Sequence, residues 1–277
     1  MSKENIQLAF IGGGNMAGAI IGGCVRNGIR GDQILVVDPN AANIQSLVET
    51  WGVRGSTDAA EAATGLQAAT LVVWAVKPQV FKEVALADQP FFSPQALHLS
   101  VAAGVTCASI SDWLQSENIV RAMPNTPALV GAGATALFAM PSVSSIDKSL
   151  VGTVLESTGL ILWVDHEALL EAVTAVSGSG PAYVFYWLEA MVHAGTSLGL
   201  DPETAKRLAT ATFKGAALLA EQSEDPPGVL RDRVTSKGGT TFEALEVMRA
   251  SGVGPAIEQA MGACARRARE LGEEFGA

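Results

Sequence analysis

Phe10-Ile11-Gly12-Gly13-Gly14-Asn15-Met16-Ala17 is the stretch that decides the fold. It closes a short apolar run that starts at Ile6, and a helical pattern, Ala17–Asn27, follows at once. The spacing G-x-G-x-x-A between a strand and a helix suits a dinucleotide. Gly12 allows the tight turn, Gly14 lets the backbone approach a pyrophosphate, and Ala17 is small enough for close helix–strand contact. The helix beyond offers unpaired N–H groups and the positive end of its dipole to phosphate. Asp38 stands about 20 residues further on, at the end of a second apolar run, Ile34–Asp38, where an acid bonds the adenosine ribose hydroxyls. A carboxylate there repels a 2′-phosphate. No Arg or Lys follows in residues 39–43 to offset it, so the residues by themselves tilt toward NADH or dual use. Without a ligand, the same pieces read as a glycine-rich turn and a capping Asp.

Outward from this point the chain divides by rhythm. Up to about residue 165 strand-like and helix-like segments alternate, the pattern of a mostly parallel sheet with covering helices. The further strand candidates are Thr70–Val76, apolar throughout as in a central strand buried on both faces, then Leu97–Val101, Ile119–Ala122, Thr135–Met140 and Leu160–Val164. Helical stretches between them include Ala41–Thr50 and Thr106–Gln115. After Asp165 only helices are expected: Glu167–Val176, Ala182–Leu198, Glu203–Gln222, Phe242–Arg249 and Pro255–Leu271. The fold class is therefore α/β. A dinucleotide-binding domain of the Rossmann type spans 1–165, and an all-α domain for substrate binding and dimerisation spans 166–277. Ala182–Ala194 is apolar nearly all round, so it needs cover on most faces, and a second subunit would supply it. Asp225-Pro226-Pro227-Gly228 reads as the clearest break in the helical half.

Composition narrows the partners. The 277 residues are 48% hydrophobic and only 17% charged, which implies much surface buried between domains or subunits. A net charge of −10 does not draw in nucleic acid or an anionic membrane, so an anionic ligand depends on local amides, helix ends and single cations. Cys24, Cys107 and Cys264 are too scattered for a disulfide framework or a zinc site, and the three histidines lack metal-ligand spacing, so no metal is expected. The polar start is neither signal peptide nor spanning helix, which makes the cytoplasm the default address.

Two more strand ends should face a dinucleotide, because ligands lie beyond the carboxyl ends of open α/β sheets. They are Ala75-Val76-Lys77-Pro78-Gln79 and Ser100-Val101-Ala102-Ala103-Gly104. Lys77 would hold a phosphate or ribose oxygen, or be an ordinary surface lysine. In the helical half, Thr235-Ser236-Lys237-Gly238-Gly239-Thr240-Thr241-Phe242-Glu243 fits a glycine turn and a Thr240/Glu243 capping box at a helix start. Exposed amides there form a cradle for a carboxylate, with the Thr241 hydroxyl beside it. Ser177-Gly178-Ser179-Gly180-Pro181-Ala182 allows another chain or a ligand to come close, and Pro181 suits the first turn of the next helix.

FIGGGNMAGAI (10–20), AVKPQ (75–79), SVAAGV (100–105), RAMPNTPALVGAGATAL (121–137), AVSGSGPAYVF (175–185) and VTSKGGTTFEAL (234–245) occur in that order. Together they closely resemble the pyrroline-5-carboxylate reductase family. The resemblance implies reduction of L-Δ1-pyrroline-5-carboxylate to L-proline, the last step of proline synthesis, by hydride transfer from NADPH, with NADH as a second donor. It implies a homodimer interlocked through the helical domain and assembling further to a decamer. Ile11, Gly12, Gly13, Gly14, Asn15 and Met16 would bind the pyrophosphate region. Ala75, Val76, Lys77 and Pro78, with Ala102 and Ala103, would line the cofactor, and Asp38 its ribose. The substrate carboxylate would lie on the amides of Gly239 and Thr240, Thr241 would bond the ring nitrogen as the catalytic residue, and Glu224 would lie near the substrate. A protonated imine is already activated, so the chemistry asks for orientation and a hydrogen bond to nitrogen.

Three residues depart from the family pattern: Ala17 for a frequent Gly, Lys237 for a usual Pro, and Asp38, which argues toward NADH in a family leaning toward NADPH. A β-hydroxyacid dehydrogenase-like oxidoreductase is the nearest alternative. Its lysine on an early helix of the second domain is missing, since Glu167–Leu200 contains no Lys or Arg. A non-catalytic dinucleotide sensor on the same fold is another, against which the intact Gly238-Gly239 turn and Thr241 argue.

Overall fold

The computed structural model describes residues 6–275. Contacts divide the chain into two compact units, one running to Ser179 and taking in the chain from Cys264 onward, the other Gly180–Ala263.

The first unit is built on one eight-stranded sheet. Its strands are β1 (Leu8–Ile11), β2 (Ile34–Val37), β3 (Arg54–Ser56), β4 (Leu71–Trp74), β5 (Leu97–Ser100), β6 (Ile119–Met123), β7 (Gly133–Ala139) and β8 (Gly159–Trp163). They lie in the order β3-β2-β1-β4-β5-β6-β7-β8. Every neighbouring pair is parallel except β6 and β7. Helices α1 (Asn15–Arg26), α2 (Ala41–Trp51), α3 (Ala63–Ala68), α4 (Pro78–Asp88), α5 (Cys107–Leu114) and α6 (Ser145–Leu155) lie between strands, and α7 (Leu169–Val173) follows β8.

Alternation of side chains puts a core on each face. Leu8, Phe10, Ile34, Val36, Leu71 and Val73 enter one cluster. Ala9, Ile11, Leu35, Val37, Val72 and Trp74 enter the other. This is why β1, β2 and β4 read as unbroken apolar runs: a strand covered on both faces has no polar side. The strand order turns back at β1, which lies between β2 and β4, and the crevice at that switch point is where such sheets bind ligands.

The second unit is helical: α8 (Gly180–Ser197), α9 (Pro202–Gln222), α10 (Pro227–Arg233), α11 (Thr240–Ala250) and the start of α12 (Val253–Phe275). Among its residues only Ala205 and Ala209 are buried. Throughout the described residues, no helix is long and apolar enough to cross a membrane.

Several elements depart from the sequence reading. Strand β3 was not expected; it is three residues long, contains Gly55 and sits at the sheet edge with little burial. The Pro226-Pro227 break is the start of α10, because proline at the first helical position gives up an N–H that has no partner there anyway. The helix expected over Glu167–Val176 stops at Val173 and widens into a π-turn over Thr174–Gly178, in which Ser179 N–H donates to the Thr174 carbonyl at 2.8 Å. Gly178 in that turn leaves room for the end of the Met123 side chain, which a Cβ would meet. The capping box at Thr240 is not formed. Gly239 is the N-cap of α11 and Thr240 is its first helical residue.

Candidate active site

The glycine turn is fixed by backbone contacts. Gly12 adopts φ +97°, and a Cβ there would lie 2.6 Å from the Ala75 carbonyl oxygen. The loop after β1 and the loop after β4 therefore touch main chain to main chain, which no other residue type permits. Gly12 N–H donates to Val37 O at 2.8 Å, and Ala75 N–H donates to Ile11 O at 2.8 Å. The ends of β1, β2 and β4 are thus tied into one rim.

Gly14 is the N-cap of α1, exposed, with open space where a side chain would stand. The first intrahelical bond is Gly18 N–H to Gly14 O at 2.9 Å, so the amides of Asn15, Met16 and Ala17 have no acceptor within the helix. Open space beside a glycine and three outward amides suit a pyrophosphate.

Asp38 is buried and heavily engaged. One carboxylate oxygen accepts from Gly13 N–H at 2.6 Å and from the Asn43 side-chain amide at 3.2 Å; the other accepts from Asn40 N–H at 2.7 Å. The expected ribose acid is therefore also the clasp that holds the glycine turn to the end of β2. Next to it lies a cavity of about 390 Å³ lined by Gly12, Val37, Asp58, Val76, Glu83 and Asp88, among others. Burial, and then the neighbouring Asp58 charge, push the Asp88 carboxyl above its ordinary value.

Lys77 is the exposed N-cap of α4, with Pro78 in the first turn. Ala75 and Val76 are half-buried between β4 and that helix. Ala102 is buried and Ala103 half-buried in the loop after β5. Ile11, Gly12, Gly13, Gly14, Asn15, Met16, Asp38, Ala75, Val76, Lys77, Pro78, Ala102 and Ala103 thus all stand at the ends of β1, β2, β4 and β5.

In the second unit, Gly238 has φ +71° and turns the chain into α11. Gly239 N–H is already taken by the Ser236 carbonyl at 2.9 Å, and Glu243 N–H closes the first helical bond onto Gly239 O at 3.2 Å. The amides without an intrahelical acceptor are those of Thr240, Thr241 and Phe242. Thr240 and Thr241 are exposed. Glu224 is exposed ahead of α10, beside Asp225, which pairs with Arg233.

The other reactive side chains are committed elsewhere. His98 is almost wholly buried, its Nδ1 accepts from Trp74 Nε1–H at 3.2 Å, and burial pulls its pKa down to about 4. It is a neutral core group. Burial pushes the Cys24 thiol up to about 12 and the Cys107 thiol higher still, so neither is a thiolate nucleophile.

Two residues escaped the sequence reading. Asn125, in the PNTP segment, donates its side-chain amide to Ser177 O at 3.0 Å and accepts from Ala134 N–H at 2.8 Å, clamping two signature loops to each other. Glu167 accepts from Cys107 N–H at 2.7 Å and pairs with Arg121. The resemblance strings contain Asn125 and Arg121, but nothing local marks what either touches.

A parallel sheet whose switch point carries a main-chain glycine turn, an acid at the end of β2 and an open helix N-terminus defines a dinucleotide-binding protein of the Rossmann class. Residues 7–104 match the family model described as NADP oxidoreductase coenzyme F420-dependent, and residues 167–271 match that for pyrroline-5-carboxylate reductase dimerisation. A pyrroline-5-carboxylate reductase of Pseudomonas aeruginosa is 44% identical over 98% of both chains. The solved pyrroline-5-carboxylate reductase of Coxiella burnetii superposes with a TM-score of 0.89 at 39% identity, over 96% of this chain and 98% of that one. The Plasmodium falciparum pyrroline carboxylate reductase, solved with NADP bound, gives 0.86 at 29% identity, over 97% and 99%. The chain belongs to the pyrroline-5-carboxylate reductase family and is an oxidoreductase.

Proposed function

We propose that the protein reduces L-Δ1-pyrroline-5-carboxylate to L-proline, using NADPH and accepting NADH. The observation that carries this reading is end-to-end identity to named reductases of this activity in a chain that keeps both the glycine turn and the Gly239–Thr241 helix start. When bound, the reduced nicotinamide supplies a hydride. The chain's own groups supply position. The amides at the start of α1, with Gly14 open beside them, hold the pyrophosphate. Ala75, Val76, Lys77 and Pro78, with Ala102 and Ala103, line the cofactor, and Asp38 faces its ribose. The amides at the start of α11 grip the substrate carboxylate, with Gly239 contributing once Ser236 lets its N–H go. Thr241 accepts from the iminium N–H and keeps the ring facing the hydride donor; the hydride adds to the imine carbon and the nitrogen keeps its proton as the secondary amine. Glu224 lies at the substrate margin.

The functional division we propose is 1–165 for the dinucleotide and 166–277 for substrate and dimerisation; the match from residue 167 supports it. The oligomer is a homodimer assembling to a decamer. Three free thiols suit a reducing, cytoplasmic setting. The test is loss of reduced-nicotinamide absorbance on adding pyrroline-5-carboxylate, with each cofactor in turn. Absence of turnover with both would remove the reading and leave a dinucleotide sensor.

A further inference from the structure

We propose that Glu167 is a positioning residue for the loop between β5 and α5, the segment whose Ala102 and Ala103 line the cofactor. The proposal rests on the cofactor placement above. Residues 101–106 leave β5 and enter α5 with little regular structure of their own. Gly104 sits at φ +81°, and where its side chain would stand the backbone of α12 passes at 3.2 Å, at Gly272 N. Beside this contact the loop meets a cavity of about 420 Å³, lined by Gly104, Thr106, Arg121, Glu167 and, from α12, Arg269 and Gly272, among others. Ala102 and Val105 are buried in the core on the sheet side, and on the cavity side hydrogen bonds hold the loop where it enters α5.

At the β5 end Val101 N–H donates to Trp74 O at 3.1 Å and Ala102 N–H to Ser100 Oγ at 3.3 Å; at the α5 end side chains take over. Thr106 Oγ1 accepts from Ser109 N–H at 3.1 Å and caps α5. Glu167 Oε1 accepts from Cys107 N–H, the first amide of the same helix, at 2.7 Å. The same oxygen takes Arg121 Nη1 from β6. Both side chains are largely withdrawn from solvent, 12% and 27% exposed, so the pair is weakly screened. A carboxylate on a helix-start amide is a charge-assisted bond aligned with the helix dipole. Glu167 lies 60 residues beyond Cys107 in sequence, in the turn after β8. It thus links the end of the sheet to the loop carrying Ala102 and Ala103, and Arg121 fixes its orientation. An ångström of drift in that loop moves the hydride donor off line, which lowers turnover more than binding.

The experiment compares wild type, Glu167→Ala, Glu167→Gln and Arg121→Met. Amide exchange over residues 102–107 is measured in ligand-free protein. Alongside it, kcat, KM for pyrroline-5-carboxylate, cofactor Kd and the isotope effect from deuterated cofactor are measured. In Glu167→Ala we expect exchange at least about ten-fold faster and kcat about 10–100-fold lower, with KM and Kd within about two-fold and a larger isotope effect. Glu167→Gln, which keeps an acceptor for Cys107, should recover much of both losses. Unchanged exchange in Glu167→Ala overturns the proposal. So does a loss of kcat matched by equal losses in cofactor affinity and melting temperature, which marks a general structural role. Failure of the wild type to turn over the imino acid removes the functional reading alone, because the exchange measurement uses neither substrate nor cofactor.

Discussion

Thr241 carries the residue-scale prediction that bears most directly on chemistry. It is exposed in the first turn of α11, away from the core. On the proposed function, Thr241→Ala removes a substrate contact and little else. A hydrogen bond of this kind is worth about 1–2 kcal/mol, so kcat should fall about ten-fold, with cofactor affinity nearly unchanged. Wild-type rates in steady-state assays would take Thr241 out of the mechanism. Asp38 behaves differently because it has two employments. Its carboxylate holds the Gly13 and Asn40 amides, and in the proposed function it also faces the ribose. Asp38→Ser should raise the ratio of NADPH to NADH preference by lifting repulsion of a 2′-phosphate. It should also weaken both cofactors and lower the melting temperature, because a shorter side chain strands the Gly13 amide. A ratio that stays put, with both affinities reduced alike, would mean that the clasp is the whole of its role.

Elements divide by how locally their cause is written. Strands β1, β2 and β4 were legible because burial on both faces writes an apolar run into adjacent residues. The turn before α1 was legible because its close approach to the loop after β4 demands glycine at position 12. β3 was not, since an edge strand of Arg54-Gly55-Ser56 is held by pairing to β2 and by nothing in its own composition. The clamps of Asn125 and Glu167 act across 52 and 60 residues, and no spacing rule reaches that far. The start of α11 was found one residue out: with Gly239 as N-cap the free amides are those of Thr240, Thr241 and Phe242, and Gly239 N–H is bonded to Ser236. His98, on β5, shows how an element imposes its own pH dependence. Wedged between Trp74 and Phe92, it is held neutral with a pKa of about 4. Its unfolded counterpart titrates near 6.5, so between those values the unfolded chain binds more protons. The stability this group contributes is complete above pH about 6.5 and is lost as pH falls toward about 4, by about 3 kcal/mol in all. Denaturant midpoints across that window should fall in the wild type and fall less steeply in His98→Leu; parallel slopes would assign the acid sensitivity to other groups.

For the whole molecule the question is what the helical unit leans on. α8 carries Tyr183, Val184, Phe185, Tyr186 and Trp187, yet no residue of it is buried within one chain. Phe185 and Tyr186 are 63% and 74% exposed, and an apolar cavity of about 430 Å³ opens beside Tyr186, Trp187, Ile257 and Met261. A segment of this size with two buried alanines cannot repay the entropy of ordering its helices. Covering one such aromatic is worth about 1.5–3 kcal/mol, and a two-fold contact counts each residue twice. The match of residues 167–271 to a dimerisation domain gives this apolar face its reason: subunit association covers it. Phe185→Asp places a charge on that face and should shift the mass by light scattering from an oligomer to a monomer. The melting temperature should fall with it and become dependent on protein concentration near the dissociation range. A variant that stays assembled would move the interface off this face of α8, and a monomeric wild type would leave the exposed aromatics without a physical reason.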